Sequence, residues 1–424
     1  MFVRKVKQAR IARQVIFLSA IVLSGCGALV GLPDDNRPRT TLSLAALGEG
    51  DESTFYESNS NDMLESAEYV PVGSEQQVIR GHITSRSDVD VYDLGPVVIG
   101  DRIVVDMTTD DTLDGVIVLF DEDGTALLVN DHRNVYLGET QPFVDVVMRR
   151  EAESCYVAVS PTPGYGSYGD YGLVAFKQAG APVPTSRPDV VLLVFDGGTN
   201  VRVGGRAPID VPPFDAAGID ASFSGRTDEI IDQVVAGIRE DYIGFDITIL
   251  STSEDDAYDG TMSRLFFGTY DAALLGVAEG IDEFNATSSQ EAIVFTDTFA
   301  AFASLAPSVT EMSNAIANVA SHEVGHLLGL VHTRDALGVM DVTASLNDLL
   351  RNQDFRRSPL YADVFPIGHQ DAIQTLLDTL GGDGFVARLK QYAKDSDPAR
   401  FRTAPSGPSA REQLRLSSCG LHEH

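Results

Sequence analysis

Two histidines and a glutamate stand close together in the stretch "SHEVGHLLGLVHT", which ends at a third histidine and a threonine. His322 and His326 are four residues apart, so their imidazoles project from one face if the segment is helical. Glu323 would lie about 100° around that helix from His322. Its carboxylate could therefore reach a molecule bound to a metal ion without itself being a ligand of that ion.

The residues that follow supply a third possible ligand. Gly329 permits the positive φ that ends a helix and turns the chain back, so His332 can approach the same ion. Three imidazole nitrogens and a water molecule form the open tetrahedral site typical of catalytic zinc, whereas structural zinc sites are closed and usually contain cysteine. Zinc held in this way lowers the pKa of its water to about 7 and polarises a carbonyl group. Glu323 would act as the general base, so the pattern predicts amide hydrolysis.

The alternative interpretation is that these are ordinary core or surface histidines of an amphipathic helix. His-Glu-x-x-His alone arises by chance in about one chain of this length in a hundred. Requiring Gly329 and His332 as well lowers that frequency by about three orders of magnitude. The alternative also leaves imidazoles and a carboxylate on a strongly apolar segment without a chemical reason. The spacing therefore favours a metal site.

The full pattern resembles the signature of the metzincin family of zinc metallopeptidases. Met340, in "ALGVMD", is similar to the methionine turn that lies beneath the metal in that family. The short separation of Met340 from His332 resembles the matrixin branch, in which a small polar residue follows the third histidine, as Thr333 does here. The segment "GHQDAIQTLLDTLG" is similar to the helix that closes a matrixin catalytic domain. The resemblance implies one catalytic zinc ion, with Glu323 as base, Met340 as structural floor and three ligands, His322, His326 and His332.

The residues after the methionine depart from the matrixin pattern. Matrixins usually have an aromatic residue soon after the methionine and a proline that shapes the specificity pocket, but here Asp341, Val342 and Thr343 follow. No matrixin substrate preference is therefore transferred, and no cysteine-switch motif precedes the domain. Asp335 is either a hydrogen-bond partner of the zinc-site loop or an exposed loop acid.

The histidines need elements that hold them together. Ser308 and Glu311 form a capping box at the start of an apolar-periodic segment that continues into the cluster. The spacing in "TDEIIDQVVAGIREDY" predicts a second helix, and "VVLLVF", "FDITILST" and "EAIVFTD" predict strands. Strand, helix and strand in that order predict a mixed α/β layer. The metzincin resemblance implies that residues 189–382 form an α+β domain with a mixed, mostly parallel sheet and a long active-site helix.

Residues 58–178 have a different pattern, with short β-branched runs separated by turns. Alternation predicts an antiparallel β-sandwich, and "FDEDGTALL" predicts a hairpin with Asp123-Gly124 at its turn. The jelly-roll-like form of this sandwich is implied by the resemblance that follows. The stretch resembles the bacterial pre-peptidase C-terminal domain in "DVDVYDL", "LFDEDGTALLVND" and "YGDYGLVAF". That resemblance implies an accessory role in binding or secretion. Its acids are either solvated turn residues or Ca²⁺ ligands: Asp88, Asp90, Asp121, Asp123 and Asp131.

The N-terminus has the features of a targeting segment. Basic residues precede a short apolar run that ends in Leu23-Ser24-Gly25-Cys26, which resembles the bacterial lipobox. The resemblance implies that residues 1–25 are a lipoprotein signal peptide and that Cys26 is lipidated. By resemblance to enterobacterial sorting, Gly27 in place of an aspartate after the cysteine favours the outer membrane, facing the periplasm or the exterior. The alternative is an ordinary secretory signal with a chance cysteine.

The remaining segments lack a sustained pattern. Residues 26–57 are predicted to be a flexible tether, 179–188 a Pro-rich linker, and 383–424 a disordered tail. Cys155 and Cys419 could pair in an exported protein, although two separate thiols fit their positions better. The chain has 31 lysines and arginines against 62 aspartates and glutamates, which argues against a nucleic acid partner.

These observations together predict an exported, lipid-anchored zinc endopeptidase of the cell envelope that acts on a polypeptide substrate. The alternative from another class is a surface adhesion or binding protein with a non-catalytic metal domain, which the β-sandwich and acidic surface would suit. Zinc-dependent hydrolysis of a non-peptide amide or ester would need the same ligands.

Overall fold

The computed structural model describes residues 54–58, 61–110, 112–133, 139–164 and 166–395. It is multidomain and mostly β, with several mixed sheets and few helices. The predicted signal peptide, the lipidation site Cys26 and Cys419 lie outside the described residues. In the part of the chain that is described, no helix is both long and apolar enough to cross a membrane.

The N-terminal half contains two five-stranded sheets, ordered β1-β3-β10-β5-β8 and β2-β4-β9-β6-β7. Their strands are β1 (Thr54–Tyr56), β2 (Glu68–Tyr69), β3 (Gln77–Ile83), β4 (Asp90–Asp93), β5 (Arg102–Thr109), β6 (Gly115–Phe120), β7 (Ala126–Asn130), β8 (Phe143–Val147), β9 (Tyr156–Pro161) and β10 (Gly169–Gln178). These strands pair antiparallel except at two sheet edges, where β1–β3 and β2–β4 are parallel. The tether predicted for 26–57 therefore ends earlier, because β1 already belongs to a sheet.

The core of this half lies between the two sheets, as the alternation of apolar residues predicts. Ile79, Val105, Leu119 and Leu173 come from four different strands and belong to one buried cluster. Cys155 is a buried free thiol, and burial raises its pKa to about 12. The Asp123-Gly124 turn between β6 and β7 is the predicted hairpin, and Gly124 has the positive φ such a turn requires. A jelly-roll connectivity stays a prediction.

A buried polar chain inside the sandwich predicts an effect of pH on stability. The Tyr171 hydroxyl donates to Asp90 Oδ2 at 2.7 Å, and the hydroxyls of Tyr92 and Tyr171 are 2.6 Å apart. Burial raises the pKa of the Asp90 carboxyl to about 8, and the neighbouring charges of Glu57 and Asp88 act in the same direction. Because the pKa of Asp90 is higher in the folded protein than its ordinary value of 3.8, protonated Asp90 contributes its full stabilisation at pH values below 3.8. This contribution to the free energy of unfolding is lost as the pH rises through about 8.

We therefore expect the melting temperature of the wild-type protein to fall by several degrees between about pH 5 and pH 9. In Asp90→Asn the melting temperature should depend less on pH, because the amide stays neutral and still accepts a hydrogen bond from the Tyr171 hydroxyl. Thermal unfolding followed by circular dichroism across that range would measure both slopes. Equal slopes for the two proteins would contradict the assignment.

The C-terminal half is built on a sheet with the order β14-β11-β15-β17-β16. The first four of these strands run parallel, and β16 is an antiparallel edge strand, so the predicted mixed, mostly parallel sheet is present. The strands of this half are β11 (Asp189–Val194), β12 (Gly198–Val201), β13 (Ile209–Val211), β14 (Ile247–Ser251), β15 (Ser263–Phe267), β16 (Gly276–Ala278), β17 (Glu291–Val294), β18 (Arg357–Pro359) and β19 (His369–Asp371).

Five α-helices complete this half: α1 (Thr227–Asp241), α2 (Val309–Leu327), α3 (Leu346–Leu349), α4 (Ala372–Leu380) and α5 (Gly384–Asp395). The predicted helices α1, α2 and α4 are present with bounds close to those expected. Helix α5 occupies a part of the chain assigned to a disordered tail, so that assignment is wrong for residues 384–395. A metzincin fold for this half stays a prediction.

Helix α2 carries the first two histidines and is held at its start and directly before His322. The Ser308 hydroxyl accepts the Glu311 N–H at 3.3 Å, and the Glu311 carboxylate accepts the Ser308 N–H at 2.8 Å, which confirms the predicted capping box. Further along, the Tyr242 hydroxyl donates to the Ser321 carbonyl at 2.9 Å. The helix packs against α1, β16 and β17, and both histidines are 0% exposed. The path of the helix up to Ser321 is therefore fixed by contacts that do not involve the histidines.

Candidate metal centre

The structure brings the three predicted ligands, His322, His326 and His332, into one buried group. One potential ligand atom from each lies within 4.8 Å of the others, and the Nε2 atoms of His322 and His326 are 3.0 Å apart. Tetrahedral coordination at zinc–nitrogen distances of about 2.0–2.1 Å places ligand nitrogens about 3.3 Å apart. Among the described residues, no other group of three metal-binding side chains is as compact. The spacing of the nitrogens therefore fits one small divalent ion.

The rings of His322 and His326, the two predicted ligands on helix α2, are oriented by backbone carbonyls. Nδ1–H of His322 donates to the Val339 carbonyl at 2.7 Å, and Nδ1–H of His326 donates to the Leu330 carbonyl at 2.8 Å. These bonds leave each Nε2 as the unprotonated nitrogen that can bind a metal. Burial lowers the pKa of His322 to about 3 and that of His326 well below its usual value, so both rings are neutral at pH 7.

The ring of His332, the third predicted ligand, is oriented by a carboxylate. Nδ1–H of His332 lies 3.1 Å from Asp363 Oδ2, and the Tyr361 N–H donates to the His332 carbonyl at 3.1 Å. A carboxylate on the far nitrogen fixes the imidazole tautomer and makes Nε2 a stronger ligand. Sequence reasoning missed Asp363, because it lies 31 residues after His332 and outside any local pattern.

Glu323 has the burial and isolation of a reactive group. Its side chain is 0% exposed, and neither carboxylate oxygen has a hydrogen-bond partner. Burial raises its pKa well above the ordinary value of 4.5. Buried polar atoms without a partner are rare in proteins and often mark a catalytic group or the place of an ion or water molecule. The residues present therefore fit a metal ion and its water beside this carboxylate.

A glycine makes room for that carboxylate. Gly276 lies on the edge strand β16, opposite Val294 of β17. A Cβ atom added to Gly276 would be 2.4 Å from Glu323 Oε1 and 2.9 Å from its carboxyl carbon. Contacts this short do not occur between real Cβ atoms and their neighbours, so any other residue here displaces the Glu323 side chain. The sequence contained no signal for this role.

Gly329 and Met340 both lie against the C-terminal part of helix α2. Gly329 has a φ of +90°, and its N–H donates to the His326 carbonyl at 3.0 Å, so α2 ends directly after its second ligand. Met340 is buried, and a Cβ added to Gly325 would lie 2.7 Å from its sulfur. The methionine therefore packs closely against α2 between the two helical ligands. The Thr333 N–H also donates to the Met340 carbonyl at 2.8 Å, which connects this turn to the third ligand's segment.

The acids near the site shape loops. Asp341 is buried, and its Oδ1 accepts the Asp335 N–H at 2.6 Å and the Thr343 hydroxyl at 2.7 Å. Asp335 in turn accepts from Arg356 Nε at 3.1 Å and from the Ser358 hydroxyl at 3.2 Å. Asp335 therefore connects the loop after the third ligand to β18.

Three of the five acids proposed as possible Ca²⁺ ligands, Asp88, Asp121 and Asp131, have polar contacts with residues nearby in the sequence. Asp88 accepts from the backbone and hydroxyl of Thr84, and Asp121 accepts the backbone N–H groups of Asp123 and Thr125. Asp131 lies 3.0 Å from the ring of its neighbour His132. Within the described ranges these acids do not form a compact group of three ligands. The structure therefore adds no support for a Ca²⁺ site here.

Comparisons with known proteins find similarity to parts of the chain. No protein-family model and no curated protein matches it. Archaemetzincin from Methanopyrus kandleri is 17% identical, with 41% of this chain and 91% of that chain covered and a TM-score of 0.23. The pre-peptidase C-terminal domain of collagenase from Bacillus anthracis is 14% identical, with 26% of this chain and 93% of that chain covered and a TM-score of 0.21. PliG from Aeromonas hydrophila, a periplasmic inhibitor of g-type lysozyme, is 16% identical, with 30% of this chain and 99% of that chain covered and a TM-score of 0.21. At these values the similarity assigns neither a fold nor an activity to the chain.

Proposed function

We propose that this chain is a zinc-dependent endopeptidase with Glu323 as its general base. The observation that carries the proposal is the convergence of three imidazoles beside a buried carboxylate that has no hydrogen-bond partner. Three neutral imidazoles form a donor set that suits zinc, and the absence of cysteine among them is typical of catalytic sites. A bound zinc ion would supply Lewis acidity, activating a water molecule and polarising the substrate carbonyl.

The chain's own residues account for proton transfer. Glu323 takes a proton from the attacking water and delivers it to the departing amine, so its carboxyl group must exist in both protonation states during one turnover. Burial without a hydrogen-bond donor raises the pKa of the Glu323 carboxyl above the ordinary value of 4.5. The Glu323 carboxylate is therefore a stronger base than an exposed one.

The edge of the sheet offers a place for the substrate backbone. Strand β16 is the last strand of its sheet, and Gly276 on it contacts Glu323. An extended peptide can add to such an edge through main-chain hydrogen bonds, which fix its backbone without selecting a side chain. A polypeptide bound there would lie next to the proposed base, which favours peptides over small esters as substrates.

The proposal is tested with purified protein, a peptide library and mass spectrometry of the products. We expect cleavage at internal peptide bonds, its loss after treatment with a chelator, and its return on addition of zinc. A protein that holds stoichiometric zinc and cleaves no peptide would favour the non-catalytic binding protein instead. Cleavage of ester or non-peptide amide substrates alone would favour the third interpretation.

Export and lipid attachment are proposed from the sequence of residues 1–26. The chain would be anchored to a membrane of the cell envelope through acyl groups on Cys26. In bacterial cells given a radiolabelled fatty acid, we expect the wild-type protein to be labelled and Cys26→Ser to be unlabelled. Equal labelling of both proteins would contradict the assignment of Cys26.

A substitution at Gly276 tests the positioning of the base. Gly276→Ala should lower kcat by about 100-fold, because a displacement of a reacting group by about 1 Å costs that much. Zinc content should be unchanged, since the three atoms nearest to a Cβ added at Gly276 all belong to Glu323 and none to a histidine. Gly73→Ala is a matched control, because a Cβ added there meets no atom within 4 Å. Full activity in Gly276→Ala would show that the glycine does not position Glu323.

A further inference from the structure

A turn of the β-sandwich contacts a segment of the other half, residues 357–370, which we call the docking segment. The His369 N–H donates to the Gly124 carbonyl at 2.9 Å, and Arg357 donates to the Asp123 carbonyl at 2.7 Å. His369 also forms an isolated parallel bridge with Thr125. The hairpin turn between β6 and β7 is therefore hydrogen-bonded to both ends of the docking segment.

Apolar side chains fill the space between the hairpin and this segment. The rings of Phe120 and Phe365 are 5.8 Å apart, and both side chains are 0% exposed. Gly368 has a φ of +88°, and a Cβ added to it would lie 2.2 Å from Phe120. The buried cluster around these rings also contains Val331, the residue directly before the third ligand. The sandwich therefore packs against the chain one residue away from His332.

The docking segment in turn surrounds the third ligand. It supplies Asp363, which orients the His332 ring, and Tyr361, whose N–H donates to the His332 carbonyl. The side chain of Gln370 bonds both backbone groups of Val331, accepting its N–H at 2.7 Å and donating to its carbonyl at 3.0 Å. The docking segment, on which the sandwich packs, therefore contacts both His332 and Val331.

From these contacts we propose that the β-sandwich positions the third metal ligand. His322 and His326 are held by the hydrogen bonds of helix α2, whereas His332 lies outside any helix or strand. Its placement depends on the docking segment, and the Phe120 side chain and the hairpin turn hold that segment. This assigns the sandwich a role in the metal centre, where the sequence predicted only an accessory role in binding or secretion. The proposal rests on the proposed zinc site but not on peptidase activity.

The test is the affinity of the full-length protein for zinc, measured by competition with a chelating dye. We expect Phe120→Ala to weaken zinc binding by about 10- to 100-fold, the effect typical of losing the support of a ligand. The visible spectrum of the Co²⁺-loaded protein should also change, because it reports the number of ligands. Leu173→Ala is the matched control, since Leu173 is a fully buried residue in the core between the two sheets and is not part of the cluster around Phe120.

The comparison of the two variants decides the result. Zinc affinity equal to wild type in folded Phe120→Ala, or an equal loss of affinity in Leu173→Ala, would overturn the proposal. If Phe120→Ala does not fold, Phe120→Leu provides a milder change at the same contact, and wild-type affinity in that variant would count against the proposal in the same way. A protein that binds zinc normally but cleaves no peptide would overturn the proposed function and leave this inference intact.

Discussion

Glu323→Gln is expected to bind one zinc ion per chain, as we also expect of the wild-type protein, and to have lost peptide hydrolysis. Glutamine has nearly the same shape and fits the space beside Gly276, but it cannot take a proton from water. Removal of a general base typically lowers kcat by about 10²–10⁴-fold, and an essential base should lie at the upper end of this range. A 10⁴-fold loss corresponds to about 5.5 kcal/mol of transition-state stabilisation.

The measurements are kcat on a peptide substrate and zinc content by elemental analysis. Glu311→Gln is the matched control, because Glu311 is a glutamate at the start of the same helix and only closes its capping box. That change should cost up to about 1 kcal/mol of stability and leave kcat unchanged. Undiminished hydrolysis in Glu323→Gln would reject the mechanism.

His326→Ala is expected to remove both the metal and the activity. Its Nε2 is 3.0 Å from that of His322, and its loss leaves two imidazoles, too few for a stable site of this kind. Zinc content should fall from about one ion per chain to nearly none after dialysis. Hydrolysis should fall to the level of the chelated wild-type protein.

Elemental analysis after dialysis checks this, with His82→Ala as the control. The side chain of His82 is 54% exposed and lies on the sandwich, away from the triad, so its removal should not change zinc content. Retention of a full zinc equivalent in folded His326→Ala would show that the metal, if bound, sits elsewhere.

The parts of the site that the sequence predicted are those fixed by neighbours along the chain. The capping box, the four-residue spacing of His322 and His326, and the turn at Gly329 all act within one or two helical turns. The parts that it could not predict depend on tertiary contacts. Asp363 reaches His332 from a segment without periodicity, and Gly276 matters only because β16 runs beside α2.

The same distinction explains the differences in the fold. Strands β1 and β2 are only three and two residues long, and each pairs with a strand distant in sequence, so neither has a local pattern. The sequence did not predict helix α5, because its segment is charged and follows two glycines. Its Ala387 is buried and contacts Gly244, a tertiary interaction that compensates for a weak intrinsic pattern.

The close approach of Gly368 to Phe120 restricts which substitutions the two halves of the protein can accept independently. A larger residue at 368 requires a smaller one at 120, and a chain that exchanged its sandwich for an unrelated module would need a new partner for that glycine. We therefore expect the two halves to have been inherited as one unit, with paired changes at these two positions among descendants of the same ancestor.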